Sequence, residues 1–357
     1  MKKLIGLLVA LVLLASCNNA NSDKKSEGNE SKAASITAAG ATFPLPFYNL
    51  SFKNYTKGTG ILLTYGGIGS GGGIRSLKDK VVDFGATDAF LNAEKEADMP
   101  AEIVHIPTCI GAVVIAFNLP GLEDLKLSNQ NLEDIFMGLI TNWDDSRLQT
   151  SNPGVSLPDI ELTVVHRSDG SGTTYIFSDF MSKISTSWEA EVGRGKSLKW
   201  PVGLGAKGNP GVAGTIQQTK GSVGYIGSEF AFAQKISFAQ VENSAGEFIL
   251  PSLESISAAA KGDIPEDTKV MLTNSSDPEA YPISGFTWLI LYKEQSYDGR
   301  SKVQAEETVK FLNWIIDRDA QALAQQVNYA PLPDKVVENA RQILGEIVFK
   351  GEKLLLQ

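Results

Sequence analysis

The run Val164-Val165-His166-Arg167-Ser168-Asp169-Gly170-Ser171-Gly172-Thr173-Thr174-Tyr175-Ile176-Phe177 sets a β-branched stretch before a Gly/Ser/Thr turn, with a helical pattern after it. A strand-to-helix junction of this kind leaves backbone N–H groups bare at the helix start, where the peptide dipoles add partial positive charge. Small hydroxyl residues let an anion approach those groups. Arg167 adds a full positive charge, and Asp169, close behind it, is spaced to hold the guanidinium. The same residues also describe an ordinary capped helix, so the segment alone leaves both readings open.

Two other stretches have the same make-up. Ala39-Gly40-Ala41-Thr42-Phe43-Pro44 precedes an amphipathic run from Phe47 to Tyr55, with Thr42 suited to cap that helix and Pro44 to its first turn. Gly66-Gly67-Ile68-Gly69-Ser70-Gly71-Gly72-Gly73 follows the strand-like Ile61–Tyr65 and precedes Ile74–Lys78, a short helix. Hydroxyl caps are common, and each stretch alone says little. Three in one chain, one with an arginine, point to a shared anion.

Competing motifs fail on their context. Gly67-Ile68-Gly69-Ser70-Gly71-Gly72 fits the dinucleotide pattern in form, and Asp88 lies roughly where a ribose-binding acid would. No second mononucleotide half follows. Asp83-Phe84-Gly85 copies a kinase triplet without the accompanying loops. Neither a P-loop nor a G-x-S-x-G elbow occurs. The chain has two histidines, His105 and His166, and two cysteines, too few for an expected zinc site. His166 is read as a polar strand-end residue rather than a base beside Ser171, and His105 as core or hinge packing. No catalytic residue, cofactor or metal is expected.

The 357 residues suffice for two lobes with real cores. An apolar content of 43% with 20% charged residues marks a globular chain. The net charge of −9 and the lack of a basic patch argue against nucleic-acid binding. Lys2 and Lys3 precede an apolar Leu4–Ala15, too short to span a bilayer comfortably, which ends in Leu14-Ala15-Ser16-Cys17. This looks like a bacterial lipoprotein signal over 1–16, with lipidation at Cys17; a plain secretory signal is the alternative. Cleavage there removes two lysines and takes the charge from −9 to −11. The polar residues that follow make 17–35 a flexible lipidated tether. Only Cys109 then remains, inside the apolar run 103–117, and buried packing is expected for it.

The elements that must hold these motifs form an α/β pattern. Ile36-Thr37-Ala38, Ile61–Tyr65 and Val82–Ala86 read as strands, with helices between them, which implies a largely parallel sheet. Val104–Asn118 is a long extended stretch, and helical periodicity runs within 121–143. Ile160–Val165 reads as the strand before Arg167, and Thr173–Met181 as the helix after it. Val212–Gln218 looks helical and Val223–Ile226 extended. Phe286–Tyr292 is a second long extended stretch, and Thr308–Ile316 and Lys335–Ile347 are closing helices. The two long stretches either carry the chain out to a second lobe and back, or are central strands of one sheet.

Four motifs in order make the match specific: Ala39–Pro44, Gly67–Gly72, Val82–Asp88 and Arg167–Thr173. With Lys199–Gly203, Lys207-Gly208-Asn209 and Tyr329–Asp334, the chain resembles the phosphate-binding proteins of bacterial high-affinity phosphate ABC importers, from about residue 36 to 347. The resemblance implies an α/β, two-lobed periplasmic-binding-protein fold (type II). Its lobes, 36–110 with 284–357 and 111–283, are joined by two crossing strands, and the ligand lies in the cleft. It implies a phosphate cradle of Thr42, Phe43, Ser70, Asp88, Arg167, Ser171, Gly172 and Thr173, with Asp169 orienting Arg167. It further implies a non-enzymatic monomer that hands inorganic phosphate to an ABC permease. The lipid anchor would hold it in the cell envelope, facing the periplasm or cell exterior. Departures are small: Gly71 stands where relatives often carry a serine, Thr87 replaces a common serine, and His166 precedes the arginine.

A carboxylate beside an anion makes sense if the anion carries a proton. Phosphate near neutral pH keeps an O–H that can donate to Asp88, whereas sulfate would set lone pair against lone pair. A buried unpaired acceptor costs roughly 1–3 kcal/mol, enough for up to about a hundredfold discrimination. The simpler alternative for Asp88 is a helix cap. Alternatives for the whole chain are a secreted phosphatase-like protein, a binder of another oxyanion on the same fold, and a surface adhesin. The first lacks a nucleophile with its base, and the last lacks an exposed repeat-built face.

Overall fold

The computed structural model describes residues 35–354. The expected signal, the tether and Cys17 lie outside the described residues, apart from the tether's last position. The strands are β1 (Ser35–Gly40), β2 (Leu62–Gly67), β3 (Phe84–Thr87), β4 (Ile103–Phe117), β5 (Lys126–Leu127), β6 (Thr163–Arg167), β7 (Leu204–Ala206) and β8 (Ser222–Gly227). After them come β9 (Gln240–Glu242), β10 (Phe248–Ile249), β11 (Ser284–Tyr292), β12 (Val348–Phe349) and β13 (Glu352–Lys353).

Eight of these make one mixed sheet in the order β2-β1-β3-β11-β4-β8-β6-β7. At one end β1 runs parallel to β2 and β3, joined by the helices Leu45–Thr59 and Ser70–Lys78, as the alternating pattern predicts. At the other end β6 runs parallel to β8 and β7. Between the ends, β11 is antiparallel to β3 and β4, and β4 is antiparallel to β8.

The long strand β4 changes partner midway. Residues Ile103–Ala112 pair with β11, and Val113–Phe117 pair with β8. Val113 N–H also donates to the Ile283 carbonyl (2.8 Å), one step before β11 begins. The two extended stretches thus lie side by side where the sheet passes from one end to the other. All fifteen residues of β4 are buried, which explains its unbroken apolar reading. Cys109 is among them, fully buried and unpaired, and burial pushes its thiol up.

Aromatic packing fixes the two ends. Near β1, Phe52 meets Phe311 edge-on at 5.0 Å, and Phe84 stacks on Phe311 at 5.7 Å. Near β6, Phe177 stacks on Tyr225 at 4.5 Å, and Trp200 stacks on Tyr225 at 5.6 Å. Burying each such ring contributes about 1.5–3 kcal/mol.

Several element bounds differ from the sequence reading. Within 121–143 only Asn129–Phe136 is helical: Ser128 opens it with a capping box, and Gly138, at φ 76°, turns the chain after its end. The strand before Arg167 is Thr163–Arg167 rather than Ile160–Val165, and the helix Arg318–Gln326 has no counterpart in the pattern reading. Among the described residues no helix is long and apolar enough to cross a membrane.

Candidate functional site

The parallel strands β1, β2 and β3 end side by side and present three loops together. The Gly40 carbonyl accepts from Ile68 N–H (3.0 Å) and Gly69 N–H (2.9 Å), and Ala41 N–H donates to the Ala86 carbonyl (3.0 Å). Gly40 is required here: its φ is 152°, and a Cβ would stand 2.2 Å from the Ala86 carbonyl oxygen.

Thr42 does not cap the following helix as expected. The helix begins at Leu45 with Pro44 at the N-cap position, and no side chain caps it. The Thr42 hydroxyl is instead taken by the other end of the sheet, accepting from Asn209 N–H and Nδ2–H, each at 3.1 Å. Phe43 is buried, and its carbonyl accepts from the Tyr329 hydroxyl at 2.5 Å. Its own N–H donates to no protein acceptor among the described residues.

Ser70 is the first residue of the second helix, which begins ahead of the Ile74–Lys78 stretch read as helical, with Gly69 at its N-cap in the left-handed region (φ 85°). Its hydroxyl accepts from Asp88 N–H (3.3 Å) and from Gly172 N–H (3.1 Å), and lies 3.4 Å from Asp88 Oδ2. Asp88 is 1% exposed and caps no helix; the nearby helix Ala93–Ala97 is capped by Asn92. Burial pushes the Asp88 carboxyl up to about 7, opposed by the Thr287 hydroxyl, which donates to Oδ1 at 2.8 Å, and by the Arg167 charge.

The β6 end supplies the cation. Arg167, 4% exposed, closes β6, and its backbone N–H donates to the Tyr225 hydroxyl at 3.1 Å. Its guanidinium grips Asp169 in a fork, Nε to Oδ1 at 2.7 Å and NH2 to Oδ2 at 2.6 Å, while NH1 reaches Thr173 Oγ1 at 3.3 Å. Burial pushes the Asp169 carboxyl upward, but Arg167 and the Gly208 N–H outweigh it and leave the carboxyl below its ordinary value. Ser171 caps the helix Gly172–Ile184 through Thr174 N–H (2.9 Å). A side chain at Gly172 would collide with Asp88 and Ser70, each 2.5 Å from its Cβ position.

The two ends touch directly. Gly71 N–H donates to the Gly170 carbonyl at 2.8 Å, and a Cβ on Gly71 would stand only 3.2 Å from Gly170 Cα, a contact that a serine there would crowd. Thr42, Ser70, Asp88, Arg167, Gly172 and Thr173 are linked by these bonds into one buried cluster. Around them are residues to which the sequence reading gave no role. Asn209 bridges Thr42 and Thr173 (Nδ2 to Thr173 Oγ1, 3.0 Å) while its Oδ1 accepts from Gly227 N–H (3.0 Å). Thr287 holds Asp88, Tyr225 holds Arg167, and Tyr329 holds Phe43. The only signal for Asn209 was its place in Lys207-Gly208-Asn209.

The two histidines have structural partners. His166 stacks on Trp200 at 4.7 Å with Nδ1 against the Arg167 carbonyl (3.1 Å), and the Ser171 hydroxyl is engaged as a cap. His105 is buried and accepts from Leu91 N–H at Nε2 (3.1 Å); burial drives its imidazole down to about 3. Among the described residues no group of three or more His, Cys, Asp or Glu side chains is arranged to hold a metal ion. Amide N–H groups, hydroxyls and one guanidinium can bind a tetrahedral oxyanion, and the Asp88 carboxylate can accept a hydrogen bond from one that keeps a proton.

Comparison with known proteins agrees with this geometry. Residues 25–319 match the PBP superfamily domain. The phosphate-binding protein PstS of Xylella fastidiosa (strain Temecula1) is 37% identical over 325 residues, covering 90% of this chain and 87% of its own. That of Haemophilus influenzae is 39% identical over 315 residues, covering 87% and 92%. The solved phosphate-binding protein of Stenotrophomonas maltophilia superposes with a TM-score of 0.64 at 18% identity, covering 87% of this chain and 94% of that one. The fold is the two-lobed α/β fold of type II periplasmic binding proteins, and with these relatives the chain belongs to the PstS phosphate-binding family of the PBP superfamily.

Proposed function

We propose that this protein binds inorganic phosphate outside the cytoplasmic membrane and delivers it to an ABC permease, with no catalytic step of its own. The relatives carry the name phosphate-binding protein PstS at 37–39% identity over most of the chain. The observation that carries the reading is the junction of hydroxyls, amides, one arginine and one buried carboxyl, stitched by Asn209 between Thr42 and Thr173.

In this reading Thr42 and Ser70 bring hydroxyls, and Phe43, Ser171, Gly172 and Thr173 bring loop and helix-start groups. Arg167 supplies the charge with Asp169 behind it, and Asp88 accepts the phosphate O–H. Residues 36–110 with 284–357 form one lobe and 111–283 the other, and the lobes hinge where β4 changes partner, between Ala112 and Val113. Cys17 carries the lipid anchor, so a monomer is tethered in the cell envelope, facing the periplasm or cell exterior.

The test is thermal. Phosphate raises the melting temperature of the mature domain, and an equal concentration of sulfate hardly does. Equal shifts from the two anions remove the selectivity argument. Sustained turnover of an aryl phosphate would replace this reading with a phosphatase.

A further inference from the structure

Beside the cradle lies a hollow of about 360 Å³, lined on one side by Ile74, Phe90 and Leu91 and on the other by Tyr175, Gly195 and Lys196. It adjoins the cluster at two points. Phe90 and Leu91 directly follow the Asp88–Ala89 pair, and the Lys196 carbonyl accepts from Ser171 N–H at 2.8 Å. The Lys196 side chain is partly buried, its ammonium 5.2 Å from the centre of the Tyr175 ring. It makes no ion pair among the described residues, whereas Lys95 in the same hollow is engaged by Glu94 and Asp98.

Charge balance gives this lysine a task. Asp169 cancels Arg167 in a bidentate pair, so an ionised Asp88 leaves the cradle net negative. An incoming anion is then repelled until something offsets that charge. Besides Arg167, Lys196 is the cation whose charge bears on Asp88, and Asp88 is the one charge that raises its ammonium, against a burial that brings it down to about 8. At neutral pH it remains largely charged.

We propose that Lys196 is the capture residue of the cleft, drawing the phosphate ion through the adjoining hollow and offsetting Asp88 while the anion passes into the cradle. This rests on the phosphate-binding reading above. It assigns Lys196 to the rate of entry, a role separate from the contacts that hold the bound ion.

The experiment measures association and dissociation of radiolabelled phosphate by rapid filtration, at low and high ionic strength, for the wild type, Lys196→Met and Lys196→Arg. The expected result is a roughly tenfold slower association for Lys196→Met at low salt, within the range that electrostatic steering commands. Its salt dependence should be flatter than the wild type's, and Lys196→Arg should restore the rate. Unchanged association in Lys196→Met, or equal slowing in Lys196→Met and Lys196→Arg, overturns the proposal. A wild type that binds no phosphate overturns the functional reading instead. Thermal melts without phosphate separate a folding loss from a kinetic one: a rate loss tracking a lowered melting temperature in both variants also counts against capture.

Discussion

The two halves of the cluster are built from similar loops and carry different charged groups, a lone carboxyl in one and a guanidinium paired with a carboxylate in the other. The β1–β3 half brings hydroxyls from Thr42 and Ser70 and one carboxyl, Asp88, with no cation of its own among these residues. The β6 half brings the guanidinium of Arg167, its partner Asp169 and a capped helix start. One half can test whether an anion carries a proton; the other can attract it. Neither does both, so selectivity requires the halves to be held together, as Asn209 and the Ser70–Gly172 bond hold them here.

Breaking the attracting half should have the largest effect. Arg167→Gln removes the buried cation and leaves Asp169 unpaired, and phosphate affinity should fall on the order of a thousandfold, since losing one partner of a buried charge pair costs about 2–5 kcal/mol. Titration calorimetry reads this directly; affinity within a fewfold of wild type would take Arg167 out of the contact set. Next is the testing half. Asp88→Asn keeps the shape but can donate to sulfate, so the preference for phosphate over sulfate should shrink by about ten- to a hundredfold, consistent with roughly 1–3 kcal/mol for one unpaired buried acceptor. Competition between the anions measures it, and an unaltered preference would leave the discrimination without an owner.

Loosening the seam comes third. Asn209→Ala frees Thr42 and Thr173 from each other, and phosphate affinity should drop by about tenfold, on the scale of one or two hydrogen bonds at about 1 kcal/mol each. Small-angle scattering should also find a larger radius for the ligand-free variant. An unchanged affinity would show that the bridge is dispensable.

The smallest effect is in pH. The Asp88 carboxyl sits at about 7 in the fold against an ordinary 3.8. Between those values the folded protein keeps a proton that the unfolded chain has lost, so Asp88's contribution favours the fold at low pH and is lost as pH rises from about 4 through about 7. Relative to Asp88→Asn, the ligand-free wild type should lose a few degrees of melting temperature across that window. Parallel curves would mean that Asp88 is not held protonated.

Local features of this arrangement were legible in the sequence, and remote ones were not. The Arg167–Asp169 fork and the capped helix start after the Gly/Ser/Thr turn depend on neighbours within a few residues and were legible from spacing, whereas the second helix begins at Ser70, ahead of the Ile74–Lys78 stretch read as helical. Thr42 misled because a threonine before a proline-rich helix start fits a cap, whereas its actual donor, Asn209, is 167 residues away. The Thr287 hydroxyl on Asp88 comes from 199 residues away. No periodicity announces such a pair; only the folded sheet brings β11 against β3 and β4. The resemblance to a known family named the cradle residues, but it gave no role to Asn209, Thr287 and Tyr329, which hold four of them: Thr42, Thr173, Asp88 and Phe43.

Selection rests on one carboxyl, Asp88, in a site whose guanidinium comes from the other half. Its most direct test is a pair of calorimetric titrations of the mature protein at neutral pH, one with phosphate and one with sulfate. The account predicts a saturable one-to-one binding heat for phosphate and none for sulfate at the same concentrations. Comparable binding of the two ions, or of neither, would contradict it.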